Sequence, residues 1–374
     1  ERLSNEVAAA LRTVPGAANA SPEPLIGAPY IDIKLDRQAA EYINGGAEDE
    51  HSLRENRRAF SSFEFRPHCL VDVNERSTAT TVLGTEITSP ILVAPTGFQR
   101  LAHPDGELAT ARAAAAAGTI MVVSTFATTS LEDVAETGPG PRWFQLYVHK
   151  DRGLTEDLVK RAEAAGYQAL VLTTDVAVLG RRERDLRSGF VLPTELRLAN
   201  FDLEQSEGLH GAEGDSGLAA FHRGVRDSSF TWKGVEWLAS ITELPIVLKG
   251  ILRGDDARIG LDHGVSAIIV SNHGGRQLDG ALPALRAVPE IVDAVEDRIE
   301  ILMDGGVRRG TDVAKAVALG ARAVLIGRPV LWGLAWDGEA GVRRVLEMLQ
   351  DEFDTTMALL GAPTVADLTT DLLA

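Results

Sequence analysis

The chain has 374 residues, 45% of them hydrophobic and 24% charged, so it can bury a sizeable core and is not an intrinsically disordered polymer. Acids outnumber bases 54 to 37, a formal charge of −17. That balance argues against a nucleic-acid partner and against an anionic membrane surface. An anionic substrate would need arginines concentrated locally against this field.

Cys69 is the only cysteine, so no intrachain disulfide and no cysteine-based zinc site can form. Cys69 itself is expected to be a small packed residue, and no metal is expected. No apolar run reaches membrane-spanning length, and no basic-then-apolar leader opens the sequence. A cytoplasmic location is the expectation.

Residues 1 to about 35 are rich in Ala and Pro, with one short helical stretch at Glu6–Arg12. From Asp36 to Phe60 the pattern is helical, interrupted at Gly45-Gly46. Residues 1–90 read as a helical cap and lead-in rather than a separate domain. From residue 91 short apolar runs alternate with Ala-rich amphipathic stretches. The runs are Ile91–Pro95, Ile120–Ser124, Trp143–Val148, Ala169–Thr174, Pro245–Lys249, Ala267–Ser271, Glu300–Met303 and Ala323–Gly327. Continuous apolar runs fit parallel strands buried on both faces.

Four intervening helices end on a glycine, Gly118, Gly166, Gly264 or Gly320, where a left-handed cap is predicted. Eight strand–helix units over residues 91–330 predict a (β/α)8 barrel, a TIM barrel, within one domain spanning 1–374. C-terminal helices fill 331–374. An open doubly wound sheet would need a glycine-rich turn after its first strand, and Pro95-Thr96-Gly97-Phe98 is not one. The stretch between strands four and five is abnormally long. Its excess, Asn200–Thr231, is polar and acidic and reads as a lid or a disordered loop rather than a membrane-inserting segment.

In such barrels the chemistry lies at the C-terminal strand ends. Those ends carry Thr96, Ser124, Gln145 and Tyr147, Thr173 and Asp175, Lys249, Ser271 and His273, Asp304, and Gly327-Arg328. Asp304-Gly305-Gly306-Val307-Arg308 and Gly327-Arg328-Pro329 combine glycines, whose backbone closes on a phosphate, with arginines that neutralise it. In Ser271-Asn272-His273-Gly274-Gly275-Arg276 a base stands beside a residue able to clamp a carboxylate. That pairing suits chemistry at the carbon next to a carboxylate. Lys249 ends an apolar strand, where a lysine without a partner is costly, so a functional role is favoured. Tyr42 taken alone reads as a packed helix aromatic, Asp175 as a turn cap, and Arg182 as part of a solvated charged run. His103, His149 and His263 read as structural or surface residues.

The run Ser271–Gly280 resembles the signature of the FMN-dependent α-hydroxy acid oxidase and dehydrogenase family. Gly45-Gly46-Ala47-Glu48-Asp49-Glu50, Ala94-Pro95-Thr96-Gly97, Phe144-Gln145-Leu146-Tyr147, Leu179-Gly180-Arg181-Arg182 and Leu248-Lys249-Gly250 match it in order. The resemblance runs from about Asp36 to the C-terminus. It implies oxidation of an (S)-2-hydroxy acid with FMN as cofactor, and a homotetramer.

Carried over by position, it makes His273 the catalytic base, or the acceptor of the hydroxyl proton while hydride leaves, with Asp175 as its partner. Arg276 and Arg182 would hold the substrate carboxylate, and Tyr42 and Tyr147 would hydrogen-bond the substrate. Lys249 would stand near flavin N1 and O2. Pro95, Thr96 and Gly97, with Ser124, Gln145, Thr173 and Ser271, would hold the ring. Asp304, Gly306, Arg308, Gly327 and Arg328 would hold the ribityl phosphate.

Phe126 and Gly97 depart from the glycolate-oxidising pattern of tryptophan and alanine, which implies a larger 2-hydroxy acid such as mandelate or a hydroxymandelate. The acidic loop after strand four favours O2, giving H2O2, as electron acceptor. A dehydrogenase with another acceptor and a decarboxylating monooxygenase stay open. Remoter alternatives are a flavin-dependent isomerase and a lyase using Lys249 as a Schiff base.

Overall fold

The computed structural model describes residue 33 and residues 35–201 and 224–374. The expected helix at Glu6–Arg12 and the centre of the long stretch after strand four lie outside them.

Asp36 caps the first helix, α1 (Arg37–Asn44), by accepting from the Gln38 and Ala39 amides. After Gly45-Gly46 comes α2 (His51–Arg58), as the interrupted helical pattern predicts. An antiparallel hairpin follows, β1 (Thr80–Val82) and β2 (Thr85–Ile87). The sequence reading assigned no strand there.

Eight parallel strands then close into a barrel. They are β3 (Ile91–Val93), β4 (Met121–Ser124), β5 (Arg142–Leu146), β6 (Leu170–Thr173), β7 (Ile246–Ile251), β8 (Ala267–Val270), β9 (Glu300–Asp304) and β10 (Ala323–Ile326). Each lies on one of the eight apolar runs. Seven of them pair with the next strand in sequence, and β10 pairs back onto β3. The predicted (β/α)8 barrel is therefore the fold. Gly118, Gly166, Gly264 and Gly320 all take positive φ, from +65° to +103°, as predicted for helix ends that turn into the next strand.

The barrel interior is a dry layer of Leu92, Val122, Val171, Val247, Ile269, Leu302 and Leu325, continuous with Val82 and Ile87 of the hairpin. The hairpin thus plugs the N-terminal mouth with apolar side chains. A larger apolar shell joins the strands to the outer helices. The last long helix (Arg328–Leu360) breaks at Asp337 and Gly338, where the dihedrals leave the helical region. Cys69 is exposed rather than packed, because it lies in the extended lead-in before the hairpin, away from both apolar layers. Among the described residues no helix is long and apolar enough to cross a membrane.

Candidate active site

The C-terminal mouth of the barrel opens into one cleft, with about 1050 Å³ of unfilled space. Every residue singled out from the sequence as a site candidate lines it, except Asp175 and Ser271. Those two stand directly behind residues that do.

Along one wall, three strand ends form a hydrogen-bonded row. The Ser124 hydroxyl donates to Gln145 Oε1 (3.2 Å), and Gln145 Nε2 donates to Thr173 Oγ1 (3.0 Å). The parallel register puts Ser124 opposite Gln145 and Thr173 opposite Lys249. Lys249 Nζ is 2.9 Å from Asp304 Oδ2 and donates to Ser271 Oγ at 3.1 Å, and Ser271 donates on to Asp304. Burial works against the ammonium, but Asp304 and Asp175 outweigh it and hold its pKa above the usual lysine value. A Schiff-base lyase needs a neutral amine, so this lysine is poised against that alternative.

His273 occupies the left-handed region at φ +58°, followed by Gly274 (+65°) and Gly275 (+76°). Glycine adopts such angles freely, but a histidine there is strained. The turn is over-determined. The His273 amide donates to Ser271 Oγ (2.9 Å), and the Gly275 amide donates to the Asn272 side chain (3.1 Å). Asn272 and Asn56 exchange two amide hydrogen bonds, 2.7 and 2.8 Å, which tie the turn to α2. A Cβ on Gly275 would lie 2.5 Å from the Leu53 amide nitrogen, so glycine is required for α2 to dock.

His273 Nδ1 lies 2.9 Å from Asp175 Oδ1. A carboxylate accepts, so Nδ1 carries the hydrogen and Nε2 is the basic position. Burial lowers the imidazole pKa despite Asp175, so the ring is neutral at pH 7. Burial also opposes charge on Asp175, but His273 and Lys249 prevail and keep it below the usual carboxylate range. Gly250 (φ +112°) makes room for this aspartate, since a Cβ there would lie 2.6 Å from Asp175 Cβ and Cγ. It sits where the β7–β8 register slips.

The arginines of the cleft share an unusual property. Arg182 donates to the Arg276 carbonyl, and Arg276 to the carbonyls of Tyr42 (2.7 Å) and Gly45 (2.8 Å). Arg308 donates to the Val307 carbonyl, and Arg328 to those of Ile43, Gly274 and Gly45. Burial lowers the pKa of Arg182 and Arg308 to about 10, and burial beside Arg276 and Arg308 depresses Arg328 strongly. Among the described residues none of the four has a carboxylate partner. In a chain of charge −17, such a cluster is built to take up anions.

Tyr42 packs as a helix aromatic and also lines the cleft. Its ring stacks on Phe190 (4.6 Å) and lies under the Arg276 guanidinium (4.9 Å). Arg182 is buried, not part of a solvated face. His149 is buried as well. Gly305 and Gly306 have φ of +95° and +86°, and a Cβ on Gly306 would lie 2.2 Å from the Asn56 carbonyl oxygen. Opposite them Gly327 caps the long C-terminal helix, whose N-terminal end reaches the cleft through Arg328 and Leu331.

Asn56 and Gly250 were not singled out from the sequence. Their roles depend on partners 216 and 75 residues away, and only the Lys249-Gly250 pair offered any signal.

The cleft at the end of the closed parallel barrel thus brings together a histidine paired with an aspartate, a lysine held by Asp304 and four buried or half-buried arginines. The match to the FMN-dependent dehydrogenase model over residues 32–374 places this chain in that family. An L-lactate oxidase of Nostoc sp. is 54% identical over 343 residues, covering 91% of this chain and 94% of that protein. Glycolate oxidase 3 of Arabidopsis thaliana is 54% identical, covering 90% and 91%. A solved mandelate oxidase with (S)-4-hydroxymandelic acid is 41% identical, with a TM-score of 0.88 over 99% of this chain and 98% of that one. The protein is therefore an FMN-dependent oxidoreductase. The cleft fits the cofactor, with uncompensated cations and a glycine-lined helix end for a phosphate and a polar row for a heteroaromatic ring.

Proposed function

We propose that the protein oxidises an (S)-2-hydroxy acid to the 2-keto acid and passes the electrons to O2, releasing H2O2. The observation that carries this reading is the His273–Asp175 pair sharing a cleft with Arg276 and Arg182, neither of which has a carboxylate partner among the described residues. The related lactate, glycolate and mandelate oxidases support it.

When bound, FMN supplies the two-electron acceptor. Arg276 and Arg182 bind the substrate carboxylate and fix which face of the α-carbon is presented. Tyr42 and Tyr147 orient the carboxylate and hydroxyl. His273 takes the proton at Nε2 as the α-carbon is oxidised, and Asp175 stabilises the imidazolium through Nδ1–H. Lys249 keeps a fixed positive charge in the wall. Ser124, Gln145 and Thr173 are the residues for the ring, with the Pro95–Gly97 backbone and, through Lys249, Ser271. Asp304, Gly306, Arg308, Gly327 and Arg328 are those for the ribityl phosphate. Arg328 brings charge and the two N–H groups that its three carbonyl bonds leave over.

The substrate side chain is larger than that of glycolate. Phe126 and Tyr147 form an aromatic wall with Phe98 packed behind Phe126, and a methyl group at Gly97 would press to 3.2 Å on Phe126. The solved mandelate oxidase supports this size class.

The test is a visible absorbance spectrum of the purified protein, first without air and with (S)-mandelate, glycolate or (S)-lactate, then with air admitted. The expected result is a yellow protein, bleached most efficiently by mandelate and restored by air with peroxide formed. Bleaching without recovery in air would replace O2 by another acceptor. A far higher kcat/KM for glycolate would overturn the larger pocket.

A further inference from the structure

The long excursion between β6 and β7 returns to the barrel along the end of β5. The Lys150 amide donates to the Val225 carbonyl (2.9 Å), the Asp227 amide donates to the Val148 carbonyl (3.2 Å), and His149 and Arg226 form an antiparallel bridge. This stitching delivers Arg226 beneath the cleft wall. Its guanidinium carbon sits 4.4 Å from the centroid of the Tyr147 ring. The side chain is buried, and its Nε and Nη1 have no acceptor among the described residues.

A buried guanidinium with unmet N–H groups is costly. Arginines with a purely structural duty here satisfy themselves differently: Arg161 grips Glu132 with two nitrogens and also donates to the Asn200 carbonyl. At Arg226 burial prevails over the charges of Asp175 and Asp227 and lowers its pKa, and the face of the tyrosine ring offsets part of the cost. His149, its bridge partner, brings no competing charge, because burial and the neighbouring Arg226 lower its pKa to about 4.

We infer that Arg226 is a positioning residue for the reaction. Its cation holds the Tyr147 ring at a fixed pitch and draws electron density from it, which makes the phenol a stronger hydrogen-bond donor to the substrate. The inference rests on Tyr147 contacting substrate, as in the function proposed above. It assigns the returning end of the β6–β7 excursion a part in catalysis that reaches the substrate only through the tyrosine. A neutral side chain of similar length would fill the same space, so it is the charge that this position uses.

The experiment is a double-mutant cycle on the FMN-loaded enzyme. Arg226→Met and Arg226→Lys are made in the parent and in Tyr147→Phe, with the flavin spectrum confirming loading. Steady-state kinetics use whichever of (S)-mandelate, (S)-lactate and glycolate turns over fastest. In the parent, Arg226→Met is expected to lower kcat/KM about tenfold, mostly in kcat, and Arg226→Lys to restore most of it. In Tyr147→Phe, which lacks the hydroxyl, Arg226→Met is expected to change kcat/KM less than about twofold. Equal losses in both backgrounds, or a lysine variant no better than methionine, would overturn the proposal. If Arg226→Met does not load flavin, Arg226→Gln takes its place in the same cycle. Unchanged kinetics in Tyr147→Phe alone would remove Tyr147 from the reaction and the proposal with it, an outcome distinct from a failure of coupling.

Discussion

The two mouths of the barrel are built on opposite principles. At the N-terminal mouth the hairpin buries Val82 and Ile87 against Leu92, Val122 and Leu302, and the Leu83 amide donates to the Glu300 carboxylate across the rim. Apolar surface and satisfied polar groups leave nothing to recruit a ligand. At the C-terminal mouth four arginines find only carbonyl oxygens, a histidine sits in a strained left-handed turn, and glycines hold the backbone open. On the outer surface the same residue type is paired, as in Arg76 with Asp354, Arg112 with Glu339 and Arg309 with Glu352. Arginines held by carbonyl oxygens also occur elsewhere, as in Arg142 at the start of β5, but four of them converge only in this cleft, where an anionic cofactor and an anionic substrate would complete them.

That contrast can be broken from either side. The largest effect is expected from His273→Gln, which should leave flavin bound but slow its reduction by substrate by about 10²–10⁴-fold. Anaerobic stopped-flow absorbance reads this directly, and an unchanged rate would remove His273 from the mechanism. At the other mouth, Ile87→Ala should cost about 2–5 kcal/mol of stability while leaving kcat/KM unaltered at 25 °C. Thermal or denaturant unfolding measures the first and steady-state kinetics the second, and a parallel loss of activity would show that the plug also shapes the site. Arg276→Met should raise KM by roughly ten- to a hundredfold with flavin still bound, and saturation identical to the parent would sink the carboxylate clamp.

The smallest effect concerns pH. The base must be neutral to accept a proton, and burial places the His273 pKa below the ordinary histidine value. Activity should therefore be full at pH 7 and fall only as pH drops through that lowered value, below about 6.5. A kcat/KM profile with its acidic limb above 6.5 would contradict the buried, neutral imidazole.

Most of the barrel was legible in the sequence because parallel strands buried on both faces read as unbroken apolar runs, and because the glycines that end four helices have one backbone reason to be there. The hairpin was not legible. Two three-residue strands, Thr-Thr-Val and Thr-Glu-Ile, carry too little pattern, and they matter only because the barrel floor needs covering. Lys249, His273 and Arg276 stood out by residue type at strand ends. The pairing of His273 with Asp175 came from the family resemblance, since no spacing in the chain foretells a contact across 98 residues. Gly250, Asn56 and Arg226 escaped notice for the same reason, as each acts by what the fold sets beside it. The bridge that Ser271 makes between Lys249 and Asp304, 22 and 33 residues away, is equally illegible in the sequence.

The carbonyl oxygen of Gly45 accepts from Arg276 and from Arg328, which follow it by 231 and 283 residues. A ribosome finishes that carbonyl 283 residues before the second guanidinium. The wall of the cleft must wait until the last barrel strand has been made before it can close, and its closure entropy is that of a loop of 283 residues. Refolding followed by far-ultraviolet circular dichroism should therefore run ahead of refolding followed by flavin uptake, with catalytic competence the last property the protein acquires.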